Sequence, residues 1–159
     1  MRKILFLFIA TFLFANNINE LENVVKTALI NIKNKNINNI FNKYVCENGK
    51  IDTVASPYVT REFKSEKGWK HNFPYIDKLT KKNITNTKIL KILEIKNKTC
   101  SIEYYKNGKY YPSKSKHIPC KKYKIQVDIP NINLKNLRNG KSELYIFENG
   151  IKCWEPFGW

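Results

Sequence analysis

The sequence predicts an α+β domain in which N-terminal amphipathic helices pack on a curved antiparallel sheet, stapled by two disulfides. Three observations predict it. Apolar residues recur at helical spacing between Ile18 and Ile32. Beyond Lys88 the segments are rich in β-branched and aromatic residues and are separated by Asn-Gly pairs, which favour hairpins. The chain also has four cysteines, an even number. Helices followed by a run of strands are typical of α+β domains.

Residues 1–15 are predicted to be a secretory signal peptide. Arg2 and Lys3 form a short positive segment, residues 4–15 are uncharged and mostly apolar, and Ala15 is a small residue suited to cleavage. The apolar run is shorter than the roughly 20 residues that a membrane-spanning helix needs. We therefore predict a single domain at 16–159 that is periplasmic or secreted and has no membrane span.

The helices are predicted first. Residues 18–32 present one apolar face at intervals of three and four, with Asn17 or Asn19 as the N-cap. Residues 37–45 repeat the spacing and predict a second, shorter helix that ends at Asn48-Gly49.

The predicted strands follow. Residues 68–74 are expected to be irregular. Residues 88–95 allow a helix or a strand, and their isoleucine content favours a strand. Asn149-Gly150 predicts a hairpin between the last two strands. The predicted strands are 58–63, 88–95 continuing to 105, 122–129, 142–147 and 151–155.

The cysteines predict two structural disulfides. An exported protein meets an oxidising compartment, and no metal-binding or redox spacing joins the four residues Cys46, Cys100, Cys120 and Cys153. Three pairings are possible. The Asn107-Gly108 pair predicts a hairpin that brings Cys100 and Cys120 together, which leaves Cys46 to pair with Cys153.

The order of elements resembles the nuclear-transport-factor-like (cystatin-like) α+β folds. Residues 144–154 look like the closing hairpin of such a fold, and residues 40–44 look like part of its second helix. The resemblance implies a concave pocket. It implies no particular activity, because folds of this kind host isomerases, dehydratases, ligand binders and interaction domains.

The positive charge does not by itself indicate a nucleic-acid partner. The net charge is +16, yet only three of the 29 basic residues are Arg, and the lysines are spread along the chain. We predict no nucleic-acid binding. A weak association with anionic surfaces, reduced by salt, is the expected consequence.

No catalytic residue, metal site or cofactor is predicted. His71 and Asp77 form a possible acid–base pair, but the segment around His71 is more typical of a loop anchored by Trp69 and Phe73. His117 is expected on a surface loop. The aromatic C-terminal segment is either a binding platform or part of the core. The predicted pocket or partner contacts are Trp69, His71, Tyr75, Trp154, Phe157 and Trp159.

Three functional hypotheses follow. The first is a non-catalytic exported binding or interaction domain with a pocket between the first helix and the sheet. The second is an envelope-facing inhibitor or accessory protein that binds a glycan or an acidic partner through its aromatic tail. The third is a small enzyme that uses His71 and Asp77. No motif identifies a ligand, a reaction or an oligomeric state.

Overall fold

A computed structural model of the chain describes residues 2–41, 44–47, 63–102, 105–106, 109–114 and 116–157. Its elements confirm the predicted α+β class. The helices are α1 (Arg2–Lys33), α2 (Glu66–Asn72) and α3 (Lys81–Thr85). The strands are β1 (Ile40–Phe41), β2 (Tyr44–Cys46), β3 (Lys88–Ile102), β4 (Tyr105–Lys106), β5 (Lys109–Tyr110), β6 (Lys116–Asp128), β7 (Lys141–Phe147) and β8 (Lys152–Glu155).

The described strands form a six-stranded antiparallel sheet in the order β1-β2-β8-β7-β6-β3, and β4 pairs separately with β5. Helix α1 packs on one face of the sheet. Its predicted apolar face is confirmed, since Leu21, Val24, Val25, Ala28, Leu29 and Ile32 are at most 1% exposed. They join Ile125, Leu144 and Trp154 from the sheet in one core. None of the helices in these residues is long and apolar enough to cross a membrane.

Both ends of α1 differ from a simple capped helix. In the chain that retains residues 1–15 the helix begins at Arg2, so Asn17 and Asn19 lie inside it and do not cap its N-terminus. At the other end Lys35 has a φ of 52°, and the Asn36 amide donates to the Asn31 carbonyl at 2.9 Å. This is the Schellman arrangement, which satisfies carbonyls of the last turn.

The second predicted helix, residues 37–45, is wrong. A short 3₁₀ turn at Ile37–Asn39 leads into β1 and β2. Val45 lies opposite Trp154, and Cys46 lies opposite Cys153. Residues 44–46 therefore form a strand despite their helical spacing, because the pairing with β8 and the disulfide stabilise the strand. Local propensity is a weak determinant when long-range contacts compete with it.

The segment predicted to be irregular, residues 68–74, is mostly helix α2. The Ser65 hydroxyl accepts a hydrogen bond from the Gly68 amide at 3.1 Å and so caps the helix. Helix α3 was not predicted; Thr80 and Asn83 form its capping box. The predicted strand 58–63 lies outside the described residues except for Phe63, which is in a turn.

The later strands and both disulfides are confirmed. Cys46–Cys153 and Cys100–Cys120 are bonded, and all four residues are buried beside Tyr145 and Phe147 on the sheet face opposite α1. Strands β3 and β6 form a long ribbon with two register shifts in β3. The pair β4–β5 closes around Asn107-Gly108, which themselves lie outside the described residues.

Candidate functional site

Four of the six predicted contact residues belong to the protein core. Trp69, Tyr75, Trp154 and Phe157 are 3%, 4%, 0% and 6% exposed. The aromatic C-terminal segment was predicted to be either a binding platform or part of the core. The structure buries Trp154 and Phe157 in the core. His71 is exposed, and Trp159 lies outside the described residues.

These core residues belong to a continuous row of rings. Successive ring centroids are 5.9 Å apart for Trp69–Phe73, 6.3 Å for Phe73–Tyr75, 5.7 Å for Tyr75–Phe157 and 5.5 Å for Phe157–Trp154. Edge contacts at such distances are favourable for aromatic pairs. The row joins α2 to the end of β8, so the C-terminal segment is held against the α2 region.

A small cleft lies where α2, the loop before β7 and the C-terminal segment meet. We call it the aromatic cleft. Its volume is about 140 Å³, and it is lined by His71, Asn72, Phe73, Pro74, Tyr75, Leu137, Pro156 and Phe157. The structure thus brings two neighbouring residues that the sequence singled out, His71 and Tyr75, together with a third, Phe157, which is distant in the chain.

Tyr75 is unusual among the cleft residues. Its hydroxyl is buried and has no hydrogen-bond partner among the residues that the structure describes. Burial raises the pKa of this phenol well above its ordinary value. A buried hydroxyl without a partner costs stability, so this side chain is in a less favourable setting than its aromatic neighbours.

No hydrogen bond or ion pair joins His71 to Asp77 among the described residues. The Asp77 carboxylate accepts from the Lys70 ammonium at 2.9 Å, and this contact raises the pKa of Lys70. His71 makes no hydrogen bond or ion pair within the part of the chain that the structure describes. His117, the other histidine, is exposed at the end of the β3–β6 ribbon, 3.1 Å from the Ser101 hydroxyl.

A second cleft, of about 200 Å³, was not predicted from the sequence. We call it the cationic cleft. It is lined by Lys124, Arg138, Lys141, Ser142, Glu143, Glu155 and Pro156. Pro156 lines both clefts, and the adjacent residues Leu137 and Arg138 line one each. The two clefts are therefore neighbours.

The turn between β7 and β8 decides which residues face this cleft. The Phe147 amide donates to the Ile151 carbonyl at 2.9 Å, and Gly150 has a φ of 81°. The connection is therefore a three-residue loop with glycine in the left-handed position. Glu143 consequently lies directly opposite Glu155. A shift of one residue would have put these two side chains on opposite faces.

The two carboxylates share a buried phenol. The Tyr145 hydroxyl donates to Glu143 Oε2 at 2.6 Å and lies 3.4 Å from Glu155 Oε2. Glu143 Oε1 also contacts the Lys122 ammonium at 2.5 Å. Burial, and then the hydrogen bond to Glu143, raise the pKa of Tyr145 well above its ordinary value. Tyr145 therefore stays a neutral donor that holds both carboxylates in place.

Arg138 enters the cationic cleft from a constrained loop. Arg138 and Asn139 both have a φ of 53°, and Gly140 follows with a φ of 74°. For a residue with a side chain, this conformation costs about 1–2 kcal/mol. The loop is held by a hydrogen bond from the Gly140 amide to the Leu137 carbonyl at 3.0 Å. Such strain persists only where the surroundings impose it, and it is found at ligand sites.

No group of three or more metal-ligating side chains occurs among the described residues. Comparison of the chain with models of protein families, with curated proteins and with solved structures finds no match. The resemblance to the nuclear-transport-factor-like folds therefore stays a prediction.

Proposed function

We propose that the protein is an exported, non-catalytic binding domain whose ligand inserts an apolar or aromatic group into the aromatic cleft. The observation that carries the proposal is the convergence of three separate segments, residues 71–75, Leu137 and residues 156–157, on one concave surface. Small-molecule sites are concave and mostly apolar with a few polar groups, and this cleft has that composition.

The size of the cleft limits what it can hold. Its volume of about 140 Å³ is well below the ~300–1,000 Å³ typical of sites that enclose a drug-sized ligand. The cleft therefore suits a single ring or side chain, contributed by a small molecule or by the surface of a larger partner. A larger pocket between α1 and the sheet remains a prediction; the described side chains of that contact are fully packed.

The disulfides support the exported location. Two structural disulfides indicate a compartment outside the reducing cytoplasm. We propose that residues 1–15 direct the chain there and are removed, with the periplasm or the exterior as the final location. The described core contacts of α1 begin at Ile18, so cleavage after Ala15 would leave them in place.

The test is native mass spectrometry of protein purified from its own export compartment, followed by NMR with the molecule that is retained. Chemical-shift changes are expected at residues 71–75, 137 and 156–157. His71→Ala is expected to weaken binding, because the imidazole is the exposed polar group of the cleft. His117→Ala is the matched control, since it removes the other exposed histidine. Shift changes centred elsewhere, or equal binding by both variants, would contradict the proposal.

The same material separates the two alternative hypotheses. Phe157 packs on Tyr75 and Trp154, so the deletion that tests the tail is limited to residues 158–159 and keeps these three rings. Loss of partner binding after that deletion would favour the tail-binding hypothesis. An activity that is abolished by His71→Ala and also by Asp77→Asn would favour the enzyme.

A further inference from the structure

Three positive side chains converge on the cationic cleft from three different elements. Lys124 comes from β6, Arg138 from the loop and Lys141 from the start of β7. All three are exposed, and in the described part of the chain none of them makes an ion pair or a side-chain hydrogen bond. Several other lysines do pair with carboxylates, Lys122 with Glu143 among them. The cleft is lined by these three cations and by two carboxylates, Glu143 and Glu155, so it keeps a net positive charge.

Two carboxylates that line the cleft, Glu143 and Glu155, also provide hydrogen-bond acceptors. Glu143 is already bound by the Lys122 ammonium and the Tyr145 hydroxyl. Glu155, 7% exposed, lines the cleft and lies 3.4 Å from the same hydroxyl. A carboxylate has about four lone-pair positions, so Glu155 can accept further hydrogen bonds from a ligand. An anion without a donor would meet repulsion from this carboxylate.

We propose that the cationic cleft is a second binding site, which takes a hydroxylated oxyanion such as a sugar acid or a sugar phosphate. The oxyanion lies between Lys124, Arg138 and Lys141, with the guanidinium giving the directional contact. A neighbouring hydroxyl donates to Glu155. The volume of about 200 Å³ suits one sugar ring. This site goes beyond the aromatic cleft and does not depend on it.

The direct test is a series of NMR titrations of the disulfide-bonded protein with glucuronate, glucose 6-phosphate, glucose and sulfate. Glucuronate or glucose 6-phosphate is expected to bind more tightly than both glucose and sulfate, with shift changes at residues 124, 138–143 and 155. Comparison of the two acids then tells whether a carboxylate or a phosphate is preferred. Added salt is expected to weaken this binding. Glucose or sulfate binding as tightly as both acids, or shift changes elsewhere, would overturn the proposal.

Variants separate a site from the general positive charge of the chain. Lys124→Gln with Lys141→Gln is expected to weaken binding of the preferred acid roughly fivefold or more. The matched control is Lys81→Gln with Lys82→Gln, which removes the same charge from exposed positions on α3 and is expected to change binding less than about twofold. Equal weakening by both pairs would overturn the proposal.

Arg138→Asn provides an independent variant that keeps the loop intact, because Asn tolerates the left-handed conformation. It is expected to weaken binding while the protein's melting temperature stays unchanged; unchanged binding would overturn the assigned role of Arg138. If no molecule binds in the aromatic cleft, shift changes at residues 71–75 are absent, while those that the preferred acid causes at residues 138–143 persist. The two proposals therefore fail separately.

Discussion

At the scale of single residues, two buried tyrosines differ in the hydrogen bonding of their hydroxyl groups. Within the described residues the Tyr75 hydroxyl has no hydrogen-bond partner, whereas the Tyr145 hydroxyl donates to Glu143. Both residues are buried and aromatic, and nothing in the neighbouring sequence distinguishes them. The partner of a buried hydroxyl is set by strands and turns that are distant in the chain, so only the folded structure shows it.

This contrast predicts opposite effects of the same substitution. Tyr75→Phe is expected to raise the free energy of unfolding by about 1 kcal/mol, because it removes a buried hydroxyl for which the described part of the chain offers no partner. Tyr145→Phe is expected to lower it by about 1.5–3 kcal/mol, because a hydrogen bond to a charged group is lost. Urea unfolding of the two variants beside the wild type gives both values. A stability loss in Tyr75→Phe as large as that in Tyr145→Phe would contradict the assignment.

Two glycines predict unequal costs for one added methyl group. A Cβ at Gly140 would lie 2.3 Å from the Val127 carbonyl oxygen, whereas a Cβ at Gly150 would meet nothing within 4 Å. Both residues have a positive φ. Gly150→Ala is expected to cost about 1–2 kcal/mol from backbone strain alone, and Gly140→Ala at least about 2 kcal/mol more, since the backbone must move. Thermal unfolding measures the difference, and equal losses would contradict the close contact.

At the scale of elements, the sequence predicts the long elements better than the short ones. The helix at residues 18–32 and the strands of the C-terminal half have long, regular patterns, and the structure confirms them. Helix α2, helix α3 and strand β2 are short, so their patterns are weak and their neighbours decide their conformation. Ser65 and Thr80 were signals that could have located the two short helices, because both residues are good N-caps.

Thr80 is expected to contribute more to stability than Thr85, because Thr80 belongs to the capping box of α3. The Thr80 hydroxyl accepts from the Asn83 amide at 3.2 Å, whereas Thr85 is exposed at the end of the same helix. Thr80→Ala is expected to lower the free energy of unfolding by about 1 kcal/mol. Thr85→Ala is expected to leave it within about 0.5 kcal/mol. Urea unfolding distinguishes them, and a similar effect of both variants would argue against the cap.

The outer strand β3 shows a feature that its sequence pattern conceals. Leu90 and Leu93 are 61% and 37% exposed, and they lie where the pairing with β6 shifts register. The Glu22 side chain accepts a hydrogen bond from the Ile89 amide at 3.0 Å. Bulges and a covered amide both hinder further strand pairing at an exposed edge. Ile89 is therefore buried in the core, whereas Leu90 and Leu93 lie at the outer edge of the sheet, which is protected from pairing with another strand.

At the scale of the whole molecule, the two disulfides constrain the chain to different extents. Cys46 and Cys153 are 107 residues apart in the sequence, whereas Cys100 and Cys120 are 20 apart. Loop-closure entropy predicts a larger contribution from the longer loop, about 4–5 kcal/mol against about 3 kcal/mol. The Cys46–Cys153 disulfide also links the adjacent strands β2 and β8, and so joins an early strand of the chain to its last strand.

This difference is measurable by removing each disulfide separately. Cys46→Ala with Cys153→Ala is expected to lower the unfolding midpoint in guanidinium chloride more than Cys100→Ala with Cys120→Ala. Both pairs remove two buried sulfur atoms, so each variant is the control for the other. A larger loss from the pair 100–120 would show that the local hairpin contributes more than the long-range link.

The sequence by itself determined the fold class, the buried face of α1 and the long strands, and it favoured one of the three possible pairings of the four cysteines. These features depend on local periodicity and turn chemistry, which act between neighbours in the chain. Only the tertiary structure decided that residues 37–46 include two strands and that Glu143 faces Glu155. It also decided that both clefts share Pro156. Those features depend on contacts between distant segments, where a turn of three residues instead of two changes which side chains meet.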